Sequence, residues 1–214
     1  MQMDEGEFIP TRQTLLSRLK RWSDHDSWQE FFDTYWKLIY GVCLRYGLTH
    51  DEAQEIVQET VVTVAKQMPS FQYRPDKVAF KSWLYQITKC RIIDFLRKNK
   101  RWREGKVSRS ESTDRTATLE RVADPSAYDG ESIWQEEWEK NLVDNAMRRI
   151  KTRVRPKQYQ IFDMYVVKEL SPSHVMQALN VSRAQVYLAK HRVSALIKKE
   201  VDRLEAEWNA RGKA

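Results

Sequence analysis

The 214-residue chain is 41% hydrophobic and 31% charged, and it has no apolar run close to the ~20 residues that a membrane helix requires. This composition excludes membrane insertion and is typical of one large or two small globular domains. The net charge of +7 favours an anionic partner, because positive charge attracts phosphate groups. Residues 1–10 lack the basic start and apolar run of a signal peptide, so we expect a cytoplasmic protein.

The chain contains two cysteines, Cys43 and Cys90, and both fall inside helical patterns. Neither has a second cysteine or a histidine nearby at the spacing that metal ligands show. We therefore predict two reduced core cysteines, no metal site and no cofactor.

Four helices are predicted in the first hundred residues, because apolar side chains recur there every three or four positions. The first covers about residues 14–22 and the second residues 27–47, with Trp28 and Phe32 assigned to its buried stripe. The third begins near residue 51 and ends at Pro69. A loop with two prolines and bulky aromatic residues follows, and the fourth helix then begins near residue 80.

Charge is segregated along the chain. Residues 89–109 contain nine basic and two acidic residues, a net charge of +7, whereas residues 110–139 contain nine acidic and two basic residues, a net charge of −7. Residues 108–132 are rich in Ser, Thr, Asp, Pro and Gly and show no helical periodicity, which predicts a flexible acidic linker.

A helix over about residues 133–151 is predicted to open the second domain, and Pro156 begins the next helix, with Tyr165 among its inward residues. Residue Ser171, followed by proline, predicts the N-cap of a short helix that ends at Asn180. The spacing of Ser182 and Gln185 predicts a capping box at the start of another helix. Two short helices around a tight turn indicate a helix-turn-helix.

The second helix of such a motif enters the major groove of DNA. Arg183 suits guanine and Gln185 suits adenine, whereas Lys190 and Arg192 suit phosphates. The residues predicted to contact this DNA are Ser182, Arg183, Gln185, Tyr187, Lys190, His191 and Arg192. A plain solvated helix is the alternative interpretation of the same polar face.

The aromatic residues Phe71, Tyr73 and Tyr85 lie near the basic end of the fourth helix. Aromatic rings stack on unpaired bases while Lys and Arg follow the backbone, so this combination suits single-stranded nucleic acid. Trp83 shares a stripe with Phe80, and it is as compatible with the core as with DNA.

The third helix begins with an acidic face, formed by Asp51, Glu52, Glu55 and Glu59, which we expect to be largely exposed to solvent. DNA would be repelled by this face, but a protein with a basic or mixed surface would not. On charge alone, solvation and a favourable interaction with the helix dipole explain the first two acids without any partner.

Residues 51–60, DEAQEIVQET, resemble the polymerase-docking segment of extracytoplasmic-function sigma factors in the sigma-70 family. Residues 80–87 and 93–98 resemble the promoter-melting helix of that family, which also reads the −10 element. The C-terminal helix-turn-helix resembles its −35-reading domain. The three segments follow the order of the family and together cover nearly the whole chain.

The resemblance implies an all-α fold of two small helical domains joined by a flexible acidic linker. Residues 1–104 would form a sigma region 2-like domain, residues 105–132 the linker, and residues 133–214 a sigma region 4-like helix-turn-helix domain. In this family the linker occupies the active-site and RNA-exit channels of the polymerase, and its acidity suits a path built for RNA.

The resemblance also implies partners and residue roles. The partners would be core RNA polymerase, promoter DNA and an anti-sigma factor. Polymerase docking is assigned to Asp51, Glu52, Glu55, Gln58 and Glu59. Contact with single-stranded −10 DNA is assigned to Phe71, Tyr73, Arg74, Lys77, Lys81, Tyr85, Lys89, Arg97, Lys98 and Arg101. The loop over residues 71–77 would capture a base flipped from the non-template strand.

Two other classes of protein were compared with these patterns. A dimeric helix-turn-helix regulator needs a ligand or dimerisation domain in the first hundred residues, where a melting-type segment stands instead. An enzyme needs a cluster of reactive side chains or a glycine-rich phosphate loop, and the four histidines are scattered. We therefore expect a non-catalytic protein with no small-molecule substrate.

Overall fold

The computed structural model describes residues 12–71, 80–104 and 129–209, and within these ranges every regular element is helical. The α-helices are α1 (Arg12–Arg18), α2 (His25–Arg45), α3 (His50–Gln67), α4 (Phe80–Glu104), α5 (Gly130–Arg153), α6 (Pro156–Phe162), α7 (Pro172–Leu179) and α8 (Arg183–Asn209). They form two compact units, of which the first extends to Asn141 and the second covers Leu142–Asn209. The all-α prediction with two small helical domains is confirmed.

Local capping chemistry starts α2. The Asp24 carboxylate accepts a hydrogen bond from the Ser27 backbone N–H at 3.1 Å, and Arg18 Nε lies 3.2 Å from the same carboxylate. These hydrogen bonds, from Arg18 first and then from Ser27, lower the pKa of Asp24 from 3.8 to about 2. The carboxylate thereby stays charged at the positive end of the helix dipole.

The start of α3 is held by a complete capping box. Thr49 Oγ1 accepts from the Glu52 backbone N–H at 3.3 Å, and Glu52 Oε2 accepts from the Thr49 backbone N–H at 2.9 Å. Gly47, with φ of 81°, ends the preceding turn in a conformation that a side chain would strain. The second helix, predicted to extend to residue 47, ends at Arg45, two residues before this glycine.

The core of the first unit is aromatic. Phe80 at the start of α4 packs 5.4 Å from Tyr35 and 6.4 Å from Phe31, both on α2, while α3 packs against α2 and α4. Two assignments to this core were wrong. Phe32 is 38% exposed, and Cys90 is exposed, whereas Cys43 is buried as predicted.

The helix α5 begins in the first unit. The predicted second domain starts at residue 133, but the boundary between the compact units lies after Asn141. Trp134 packs 5.4 Å from Tyr85 on α4, and Trp138 packs 6.2 Å from Tyr35 on α2, with both indole rings buried. The first turns of α5 thus belong to the first aromatic core, which accounts for the later boundary.

The second unit has a small apolar core built from α6, α7 and α8. Its buried residues are Ile161, Val175, Val186 and Ala189. A π-helical turn over Asp163–Val167 follows α6, and its Tyr165 is half-buried and packs against this core, in line with the prediction that it points inward.

An ion cluster joins α5 to α8 within the second unit. The side chain of Glu200 is 5% exposed, and it lies 3.1 Å from Arg149 and 3.2 Å from Arg153, with Arg203 bound to the same carboxylate. Burial alone would raise the pKa of Glu200, but the hydrogen bonds from Arg203 and Arg149 lower it below 4.5.

We predict that Glu200→Gln lowers the free energy of unfolding by about 1–2 kcal/mol at neutral pH, because three guanidinium groups lose their buried counter-ion. Glu205→Gln, at an exposed position of the same helix, is the matched control and should change little. Thermal and denaturant unfolding measure the difference. Because the folded-state pKa is lowered, the contribution of Glu200 is present above pH 4.5 and is lost at lower pH. A difference between the two variants that persists unchanged at pH 3 would contradict this account.

Candidate nucleic-acid interface

The acidic face of α3 is narrower than the sequence predicts. Asp51, Gln58 and Glu59 are exposed and Glu55 is partly exposed, so these side chains follow one another along one side of the helix. Glu52 is 4% exposed and serves the capping box, so its predicted exposure to solvent was wrong. The capping-box spacing of Thr49 and Glu52 is the signal that would have separated Glu52 from its neighbours.

An aromatic ridge on α2, which was not predicted from the sequence, reaches the start of α3. Phe32, Trp36 and Tyr40 occur four residues apart on α2, with ring centroids 6.2 Å and 6.1 Å apart along the row. Tyr40 stacks on His50 at 6.0 Å and its hydroxyl hydrogen-bonds to the Nδ1 atom of that ring. The spacing of four residues is the signal that identifies a ridge on one side of a helix.

Phe71, a predicted DNA contact, lies in the core. Its ring is 4.3 Å from Trp83 and 6.2 Å from Phe80, and its exposed fraction is 8%. The ring therefore packs against the aromatic rings of α4 and is not open to a base in this structure. The other predicted contacts in that loop, Tyr73, Arg74 and Lys77, lie outside the described residues.

Three predicted DNA contacts share one face of α4, as their spacing of four residues requires. They are Lys81, Tyr85 and Lys89. The ammonium group of Lys89 lies 5.5 Å from the centroid of the Tyr85 ring, within the range of a cation–π interaction. The exposed residues Arg97 and Lys98 continue α4 toward its basic end, whereas the side chain of Arg101 lies outside the described part.

The first turns of α5 cover this face of α4. Tyr85 is 5% exposed beneath Trp134, and the ammonium group of Lys81 hydrogen-bonds to Gln135 and lies 5.3 Å from the Trp138 ring. The pKa of Tyr85 is raised, first by burial and then by the negative charges of Glu131 and Asp129. Tyr85 is therefore closed to solvent in this structure.

The helix-turn-helix is formed by α7, the turn at Asn180 and α8. Asn180 adopts the left-handed conformation with φ of 49°, which asparagine tolerates better than most residues. Ser171 Oγ caps α7 by accepting from the His174 backbone N–H at 3.3 Å. The predicted N-cap and the predicted end of α7 are both confirmed.

The predicted capping box of α8 is confirmed as well. Ser182 Oγ accepts from the Gln185 backbone N–H at 3.3 Å, and Gln185 Oε1 accepts from the Ser182 backbone N–H at 2.7 Å. A two-bond contact with adenine needs both ends of the Gln185 amide. Such a contact would require the cap bond to open, so Ser182 and Gln185 have a structural role in α8.

The exposed face of α8 combines cations with an aromatic ring. Arg183, Tyr187 and Lys190 are exposed there, together with His191 and Arg192. Tyr165 on the π turn packs edge-on against Tyr187 at 5.8 Å, and the Lys190 ammonium lies 5.4 Å from the Tyr165 ring. Hydrogen bonds donated by Arg183 and then by Tyr165 lower the pKa of Tyr187. Tyr165 thus joins the face that the sequence assigned to α8 alone.

The described residues show neither a metal-ligand cluster nor a membrane-spanning helix. They contain no group of three or more His, Cys, Asp or Glu side chains placed to hold a metal ion. In the same part of the chain, no helix is both long and apolar enough to cross a membrane.

Comparison with known proteins links the first unit to a family. The comparison of the sequence with curated proteins gives no match. Residues 31–102 match the family model described as sigma-70 region 2, a stretch that includes most of α2, all of α3 and most of α4. The acidic face of α3 and the Lys81, Tyr85 and Lys89 face of α4 both lie inside the matched residues. Residues 31–102 of the first unit are therefore similar to sigma-70 region 2.

Proposed function

We propose that the protein is a sigma factor of the extracytoplasmic-function type, a non-catalytic cytoplasmic protein that binds core RNA polymerase and directs initiation at specific promoters. The observation that carries the proposal is the region 2 match over residues 31–102, followed in the same chain by a capped helix-turn-helix. Under this proposal the first unit docks on polymerase and melts the −10 element, and the second unit reads the −35 element.

The surface proposed to dock on polymerase comprises the acidic face of α3 and the adjoining aromatic ridge of α2. Asp51, Glu55, Gln58 and Glu59 supply charge and hydrogen-bond acceptors for a basic partner, which suits the clamp coiled coil of the largest polymerase subunit. Trp36 and Tyr40 add the aromatic surface that is enriched in protein interfaces. Glu52 supports this surface from within the helix cap.

The surface proposed for the melted −10 element is the basic and aromatic face of α4. Lys81, Tyr85 and Lys89 offer one ring and two ammonium groups on a single side of the helix, and Arg97 and Lys98 extend the positive charge. Stacking on the ring and attraction to the backbone hold an unpaired strand without reading each base. The loop residues Tyr73, Arg74 and Lys77 and the helix residue Arg101 remain predicted contacts.

The surface proposed for the −35 element is the exposed face of α8. Arg183 stands near the N-terminus of α8, where recognition helices contact base edges, and Lys190 stands about two turns later, where phosphate contact is expected. The Tyr187 ring packs against the Arg183 guanidinium, and the Tyr165 ring packs against the Lys190 ammonium, which helps to position both cations. His191 and Arg192 lie beside them and can add phosphate contacts.

The linker and the regulator complete the proposal. The acidic linker, residues 105–132, would pass through polymerase channels that otherwise hold RNA, and the growing transcript would displace it. An anti-sigma factor that covers the docking surfaces would control the protein from outside.

We predict that the wild-type chain co-elutes with bacterial core RNA polymerase in gel filtration and that a Glu55→Lys, Glu59→Lys variant does not, because like charges across an interface cost several kcal/mol. The matched control is Asp202→Lys, Glu205→Lys, which makes the same charge change at exposed positions of α8. The control should co-elute like the wild type. Absence of co-elution for the wild type would refute the sigma assignment.

We also predict separate roles for two cations of α8, measured by selecting bound duplexes from a random DNA pool with the polymerase holoenzyme. Arg183→Ala should relax the preference at one base pair of the selected −35 sequence, at a cost of about 1–3 kcal/mol. Lys190→Ala should weaken binding to all sequences. It should also reduce the slope of log binding constant against log salt concentration by about one, because one phosphate contact is lost. Lys199→Ala, on the opposite side of α8, is the control. Equal effects of all three substitutions would contradict the assignment.

A further inference from the structure

The first turns of α5, residues 130–138, form a closely fitted cover over α2 and α4, and we name this segment the α5 cover. Trp134 packs on Tyr85 of α4 and Trp138 on Tyr35 of α2, and both indole rings are buried. The Trp134 and Trp138 rings also contact each other, with centroids 6.1 Å apart. The cover therefore continues the aromatic core of the first unit.

Gly130 shows how closely the cover fits. A Cβ atom at this position would collide with the hydroxyl of Tyr46, and it would lie only 2.8 Å from the hydroxyl of Tyr85. Both hydroxyl groups are carried by rigid, buried rings that cannot easily move aside. The close approach of α5 to these two tyrosines thus requires glycine at residue 130.

Charge also matches across this contact. Arg45 of α2 lies 2.8 Å from Glu136 and 3.7 Å from Glu137, and Lys81 of α4 hydrogen-bonds to Gln135. The cover thus places carboxylates against the Arg45 guanidinium. It also places indole rings against the Lys81 ammonium and the Tyr85 ring. A single strand of DNA presents the same chemistry to a protein, because its phosphates pair with cations and its bases stack on rings.

The contacts at the edge of the cover are of a kind that opens readily. The ion pair of Arg45 and Glu136 is 41% and 50% exposed, and exposed pairs of this kind contribute little to stability. The buried indole N–H of Trp134 has no hydrogen-bond acceptor in the part of the chain that the structure describes, which costs stability. A cover with such contacts can be displaced by a ligand that binds the face beneath it.

We infer that the α5 cover is an intramolecular competitor of single-stranded DNA, occupying the Lys81 and Tyr85 face of α4 until an unpaired strand displaces it. The inference rests on the proposed role of that face in holding the melted −10 element. In the covered state, Trp134 takes the place of a base stacked on Tyr85 and Gln135 occupies Lys81, while the ion pair of Glu136 with Arg45 holds the cover on α2. The free protein would therefore bind single strands weakly, and opening of the cover would be required for strand capture.

The test measures binding of a dye-labelled, mixed-sequence single-stranded oligonucleotide to the full chain by fluorescence anisotropy. Gly130→Val should tighten binding about tenfold, as expected if about one-tenth of the wild-type molecules are open. Ser132→Val makes a similar change at an exposed position of the same helix and should have no effect. Circular dichroism verifies that each variant is folded.

A second pair of variants tests the same contact by charge. Glu136→Lys places a cation against Arg45 and should also tighten binding, whereas Glu205→Lys makes an equal charge change at an exposed position of α8. A larger effect of Glu136→Lys supports the cover. Equal effects of the two variants would mean that only net charge matters and would overturn it.

Amide hydrogen exchange of the wild-type chain provides an independent readout. Saturating oligonucleotide should increase exchange in residues 130–141, because DNA and the cover compete for one face. Unchanged protection of these residues in the DNA-bound protein would overturn the inference. Co-elution with core polymerase separates the two proposals. If the protein co-elutes with polymerase but residues 130–141 stay protected when the oligonucleotide is bound, only the inference about the cover is refuted.

Discussion

The packing of Phe80 against Phe31 and Tyr35 is the contact on which the first unit depends. It holds the start of α4 against α2, and it thereby orients Lys81, Tyr85 and Lys89 along one face of α4. The same Tyr35 ring receives Trp138 of α5. One aromatic core therefore both presents the proposed strand-binding face and anchors the segment that covers it.

The sequence predicts well those features that local chemistry determines. The caps at Ser171 and Ser182 and the turn at Asn180 each depend on backbone groups within a few residues, so they can be recognised without tertiary information. The fold class follows from helical periodicity, which persists through nearly every described segment. The two compact units agree with the predicted pair of helical domains.

The sequence does not predict features that depend on contacts between distant residues. Phe71 looks exposed in a loop, but it is buried because Trp83 and Phe80 approach it from α4. The cover depends on Trp134 meeting Tyr85, a contact with no local signature. Glu52 differs, because the spacing of Thr49 and Glu52 already indicates a capping box. Glu52 was nevertheless grouped with its acidic neighbours as an exposed residue. The sequence therefore identifies the residues of the proposed site, but it does not predict which of them are exposed to solvent.

The central claim is that this chain gives core RNA polymerase the ability to start at specific promoters. The most direct measurement is transcription of fragmented genomic DNA by bacterial core polymerase with and without the protein, followed by sequencing of RNA 5′ ends. The account predicts new start sites that share two short motifs upstream, seen only when the protein is present. Start sites that do not change when the protein is added, under conditions where it binds the polymerase, would contradict it.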